Sequence, residues 1–125
     1  MDEHLTDTPI VDIAEAITAG DDYSYTFTLA RDDGATAALD GTITASIVAQ
    51  SDPETELLSD VDLEISDANN RLATLELDAA STALLRTVQS FHKSVLHLAD
   101  IKNVEAGGNT VHYGPFRFPV RRAIT

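Results

Sequence analysis

From residue 23 onward, apolar residues recur at every second position, the period of a strand with one buried face. Tyr23, Tyr25, Phe27 and Leu29 alternate with Ser24, Thr26, Thr28 and Ala30, and aromatic and β-branched side chains suit a pleated surface. Asp32-Asp33-Gly34 predicts a turn, because glycine adopts positive φ and aspartate bonds nearby backbone. In a second strand, Thr42 to Ala49, the row Ile43, Ala45 and Ile47 opposes Thr42, Thr44 and Ser46; Ser51-Asp52-Pro53-Glu54 is expected to break it. Val61, Leu63 and Ile65 form a third row, with Asp60, Asp62, Glu64 and Ser66 facing the other way. Asp67-Ala68-Asn69-Asn70 reads as a tight turn into Ala73, Leu75 and Leu77, which completes a hairpin.

The period then changes. Residues 79–86 are rich in helix formers, and Asp78 or Ser81 can cap their N–H groups, which predicts one or two helical turns against the sheet. Phe91 to Ile101 returns to strand, with Val95, His97 and Ala99 on one face and Leu96 and Leu98 on the other. That pattern predicts a central strand covered on both sides. Ala106-Gly107-Gly108-Asn109 marks a hairpin turn. In the last strand, Val111 to Val120, Pro115 and Pro119 cannot donate to a ladder and predict an edge or a bulge. Phe116 and Phe118 should face inward there, with Arg117, Pro119 and Arg121 outward. Six or seven strands and one short helix predict an all-β, small antiparallel β-sandwich. Residues 11–125 make the single domain, and residues 1–10 are expected to form an N-terminal arm, flexible alone and able to order against a neighbour.

Charge adds a division the pattern does not show. The chain carries 21 acidic and 8 basic residues, a net charge of −13. Residues 1–70 hold 17 of the acids and Arg31 as their one base, whereas residues 71–125 hold four acids against seven bases. Long-range repulsion argues against nucleic acid and anionic membrane as partners. Segregated charge would favour head-to-tail contact between copies, or serve solubility alone. An Asp-rich, Lys-poor chain also suits a high-salt setting, where hydrated carboxylates keep a surface soluble. No run of apolar residues is long enough to span a bilayer, and the acidic start does not read as a secretory signal.

Chemistry-bearing patterns are sparse. With no cysteine there is no disulfide, thiolate zinc site or thiol nucleophile. His92 and His97 fall on opposite strand faces, and His112 lies on another strand, so no metal-ligand spacing arises. Asp60, Asp62 and Glu64 share a face but do not form a calcium loop, and no serine sits in a nucleophile elbow. The sequence predicts no catalytic residue, metal or cofactor. Tyr113 to Pro119 is its one aromatic-basic cluster, and Tyr113, Arg117, Arg121 and Arg122 are the candidate interface residues.

Taken in order, several short pieces resemble a family. They are Gly20-Asp21-Asp22-Tyr23; Leu39-Asp40-Gly41-Thr42-Ile43-Thr44-Ala45; Leu75-Glu76-Leu77-Asp78 with Thr82-Ala83-Leu84; Leu96-His97-Leu98-Ala99-Asp100; and Gly114-Pro115-Phe116-Arg117-Phe118-Pro119-Val120 running to Thr125. Together they resemble the immunoglobulin-like structural domains of tailed-virus particles, including the N-terminal domain of phage baseplate upper proteins. The resemblance spans residues 20–125. It implies an immunoglobulin-like sandwich and a non-enzymatic virion subunit, of tail, baseplate or capsid decoration, in a phage or archaeal virus. Its partners would be other virion proteins and copies of itself. A carbohydrate-binding or adhesion module is the alternative, although the chain has no Trp and only three Tyr for platforms.

Overall fold

The computed structural model describes residues 10–30, 37–90 and 93–123. Strand accounts for 59% of the chain and helix for 4%, so the protein is all-β, a curled mixed sheet that forms a half-barrel. The elements are β1 (Val11–Asp12), β2 (Ile17–Thr18), β3 (Tyr23–Thr28), β4 (Thr42–Ala49), β5 (Asp52–Asp67), β6 (Leu72–Leu77), α1 (Ala79–Thr82), β7 (Ser94–Val104) and β8 (Thr110–Arg121). Among the described residues eight strands therefore form where six or seven were expected, because two-residue segments before Tyr23 also pair. The predicted arm lies outside the described residues except for Ile10, as do the Asp32-Asp33-Gly34 turn and His92.

Strand order is β1-β8-β7-β4-β5-β6-β3, with β2 also on β8. All pairings are antiparallel except those of β1 and β2, which run parallel to β8. The expected break at Ser51–Glu54 is only a turn at Gln50 and Ser51, and β5 then runs 16 residues. Pro53 is tolerated because no β6 pairing reaches this part of β5; that ladder starts at Leu63. Opposite β4, the register of β5 slips at three places, and Asp60 within that stretch has φ of 50°. Bulges bend a strand. Bent in this way, β5 pairs with β4 from Asp52 to Leu63 and with β6 from Leu63 to Asp67.

The curl brings the two ends of the strand order together. Phe27 of β3 and Phe116 of β8 have ring centroids 4.6 Å apart, and Tyr23, Tyr25 and Phe27 all meet Phe118 edge-on at 6.0–6.4 Å. The alternating rows supply the core: Ile43, Ala45, Ile47 and Ala49 of β4, Ala73, Leu75 and Leu77 of β6, and Ala99 and Ile101 of β7 are all buried. Burying a side chain such as Phe118 contributes about 2–3 kcal/mol. On β7 the inward row matches expectation, but Leu96 is 41% exposed and Leu98 half-buried, so the strand is central in the sheet and covered on one face. Among the described residues no helix packs over its other side, because the short α1 docks beside β6 instead.

Asp78 caps α1, its carboxylate accepting from the Ser81 N–H at 2.8 Å. Helical geometry stops early, with turn bonds continuing to Leu85. The turn of residues 67–70 is held by Asp67, whose carboxylate accepts from the side chain of Asn70 at 2.7 Å. In the 105–109 loop, Gly108 adopts φ of 96° and donates to the Glu105 carbonyl. At β8 the register slips between Ala99 and Ile101, opposite Gly114-Pro115, which is the bulge the prolines predicted.

Candidate interaction surfaces

Along β8 the alternation places Phe116 and Phe118 inside and Arg117 and Arg121 outside. Each arginine is engaged within the chain. Arg117 donates from Nε and Nη2 to both carboxylate oxygens of Asp12, at 2.5 and 2.9 Å, and so fastens β1 to β8. That contact holds the Asp12 carboxyl below its ordinary pKa and raises Arg117. Arg121 donates to the Thr18 hydroxyl of β2 at 3.1 Å, and Arg122 donates to the Gln89 carbonyl at 2.8 Å.

Tyr113 corrects the sequence reading: it is an interior residue, 8% exposed, rather than a surface one. Its hydroxyl accepts from Arg71 Nη2 at 2.8 Å. Arg71, which sequence reasoning counted only as a charge, is itself 8% exposed and has φ of 58°. It also donates to the carbonyls of Leu29 at 2.8 Å and Ala37 at 2.5 Å, so one guanidinium ties β3, the far end of the following loop, and β8. Nothing in the local pattern signals this. An arginine just after a turn normally reads as solvated.

Two further buried groups join pieces far apart in sequence. Thr82, fully buried, accepts from the Gly20 N–H at 3.0 Å and donates to the Asp21 carbonyl at 2.7 Å, while Asp22 accepts from the Ala79 N–H. Asn103, also buried, donates to the carbonyls of Asp40 and Thr42 at 2.8 and 3.2 Å. Gly41 between them has φ of 81°, and a Cβ there would fall 2.0 Å from the Val104 carbonyl oxygen.

His97 is buried too. Its Nε2 accepts from the Arg86 N–H at 3.1 Å, which leaves the ring proton on Nδ1 to donate to Val95. Burial pushes its pKa down, so the ring is neutral. It anchors the chain that leaves α1.

On the outer face of β4, β7 and β8 lies a groove of about 430 Å³, floored by Thr44, Ser46, Leu98, Lys102 and His112 and walled by Pro53, Glu56 and Asp60 of β5. His112 Nδ1 sits 2.8 Å from the Asp100 carboxylate, with both side chains more than half exposed. Ser46 Oγ accepts from the Asp60 N–H at 3.4 Å, and the Ser59 hydroxyl donates to the Glu56 carboxylate. Among the described residues no cluster of three His, Cys, Asp or Glu side chains could hold a metal. No helix among them is long and apolar enough to cross a membrane. The groove combines paired charges with a largely polar floor in which Leu98 is the apolar residue.

Comparison with known protein families and with curated proteins finds no match for this chain.

Proposed function

We propose that this chain is an immunoglobulin-like structural subunit of a tailed-virus particle that works through protein–protein contacts and carries no catalytic centre. The observation that carries the reading is the strand connectivity. β3, β6 and the end of β5 form one run of antiparallel pairs and β4, β7 and β8 another, joined where β4 pairs with β5 as far as Leu63, past the bend at Asp60. With β3, β4, the second half of β5, β6, β7 and β8 taken as strands B to G, the B–E and E–D pairs of one immunoglobulin sheet are present, as are the C–F and F–G pairs of the other. The aromatic contacts between β3 and β8 are those expected between facing layers.

The family-like pieces also meet in space. Gly20-Asp21 closes on Thr82, and Asp40-Gly41 closes on Asn103 beside the β7–β8 loop, so these short motifs are the joints of one fold. The carbohydrate-binding alternative needs exposed rings. Tyr23 and Tyr25 are half-buried against Phe118, and Tyr113 is interior, which leaves no fully exposed tyrosine ring for such a platform.

Mass spectrometry and electron cryomicroscopy of purified particles test the proposal. The chain should be found in the particle at fixed copy number, hundreds marking a shell position and six or twelve a tail position. Absence from intact particles, or turnover of a substrate by the isolated protein, would overturn it.

A further inference from the structure

The chain's strand edges are not treated alike. β1 and β2 cover the outer side of β8 at Phe116–Arg117 and Val120–Arg121, and its uncovered first half, from Thr110, ends in the Gly114-Pro115 bulge, a feature that keeps an edge from pairing. The open part of β5 carries Asp52, Pro53, Glu54 and Glu56 and irregular register, features that keep an edge from pairing. The remaining edge is β3. Its six residues, Tyr23–Thr28, hold no charge, no proline and no bulge, and they pair with β6 in unbroken register. Among the described residues β6 is its one strand partner. An edge this regular and uncharged is a template for another strand.

Leu29 donates to the carbonyl of Arg71 directly opposite, which marks the hydrogen-bonded pairs of this ladder. By alternation, the N–H and C=O groups of Ser24, Thr26 and Thr28 point toward the open side. We propose that this edge pairs antiparallel with β3 of a second copy, about a two-fold axis at Thr26. In that register Thr26 opposes the partner's Thr26, and Ser24 opposes the partner's Thr28. The three outward donors and three outward acceptors of each copy then satisfy one another.

Side chains favour the same register. All three outward residues are exposed hydroxyl-bearing side chains, which pair well across strands and place no like charges in opposition. A row of hydroxyls already crosses this face: Ser66 to Thr74 at 3.2 Å and Thr74 to Thr26 at 2.9 Å, ending at the edge. Pairing continues that row into the second copy. Tyr23 and Tyr25, half-buried because they stand at the margin of the sheet, gain a neighbour. A closed two-fold contact between identical edges is also the commonest oligomer geometry.

The inference names a partner for the assembly reading and rests on it only in taking contact between copies as the protein's work. It differs from head-to-tail attraction between the acidic and basic halves in its response to salt. Two chains of net charge −13 repel, so screening should strengthen an edge-paired dimer, whereas it would weaken a charge-paired one.

Sedimentation of the full chain at about 0.1 M and about 1 M salt, at concentrations up to about 1 mM, reads this directly. The expected result is a dimer that tightens with salt. Thr26→Lys and Thr26→Glu should each weaken it roughly fivefold or more by opposing like charges at the axis, and an equimolar mixture of the two should restore it. If either variant fails to unfold cooperatively, the double variants Ser24→Lys/Thr28→Lys and Ser24→Glu/Thr28→Glu, alone and mixed, make the same comparison at the neighbouring pairs. A monomer at both salts, a dimer weakened by salt, or a dimer indifferent to all these substitutions overturns the proposal. A chain that dimerises in this way but is absent from particles leaves this inference standing and removes the virion reading. A particle protein that stays monomeric does the reverse.

Discussion

Replacing Arg71 with methionine removes the one guanidinium that joins three segments while keeping similar length and the same backbone demand at φ of 58°. Three hydrogen bonds disappear, to Leu29 O, Ala37 O and the Tyr113 hydroxyl, and each acceptor lies in or beside the core. Bonds from a charged donor contribute at least about 1.5 kcal/mol each, so the direct loss is about 4–5 kcal/mol. The variant no longer holds a charge out of water, which returns about 1–2 kcal/mol. The expected net destabilisation is about 3 kcal/mol, a fall in Tm of roughly 12 °C for a domain of this size. Urea unfolding followed by tryptophan-free probes, such as far-ultraviolet circular dichroism, measures it; the slope should be unchanged and the midpoint lower. Arg71→Lys should recover only part of the loss, because an ammonium cannot span the fork of acceptors. A double-mutant cycle with Tyr113→Phe should show coupling of about 1 kcal/mol. An Arg71→Met variant within about 0.5 kcal/mol of the parent would refute the reasoning and show the arginine to be a solvated side chain in solution.

Other joints make comparable predictions. The His97 pKa is lowered in the folded state, so its contribution is complete above about pH 6.5 and declines as pH falls, when the unfolded chain takes up a proton that the native ring resists; the slope is at most about 1.4 kcal/mol per pH unit. Urea midpoints between pH 7.5 and 5 should show this limb in the parent and not in His97→Asn, and equal pH dependence in both would reject it. Gly41→Ala meets both a positive φ and the Val104 carbonyl and should destabilise by about 3 kcal/mol or more, whereas Gly20→Ala has open space and should lose only about 1 kcal/mol; similar Tm values for the two would contradict the close approach at Gly41. Thr82→Val keeps shape but strips the partner from the Gly20 N–H and the Asp21 carbonyl, with an expected loss of about 1–3 kcal/mol in the same unfolding assay; a neutral result would mean water replaces the hydroxyl there.

Much of the fold follows from adjacent residues. Alternation of Ile43, Ala45 and Ile47, or of Phe116 and Phe118, fixes which strand face is buried because successive side chains must point to opposite sides. The Asp67–Asn70 turn, the glycine-rich 105–109 loop and the Asp78 cap are likewise set by local hydrogen bonding and backbone freedom. Register slips hide from such reading. Pro53 looked like the end of a strand because its missing N–H matters only where a neighbour needs it, and β6 does not reach that far.

Which surfaces remain free was decided by tertiary structure alone. Tyr113, Arg117, Arg121 and Arg122 read as one exposed cluster in sequence, yet one is interior and three brace β1, β2 and the segment after α1. Arg71, Thr82 and Asn103 gave no sign of burial, since a polar side chain is buried only when acceptors arrive from 34 to 63 residues away. Sequence therefore determined strands, faces and turns, which depend on neighbours along the chain. The curl of the sheet determined which polar groups close the fold and which edge is left open, because those outcomes depend on groups that meet only once the chain has folded.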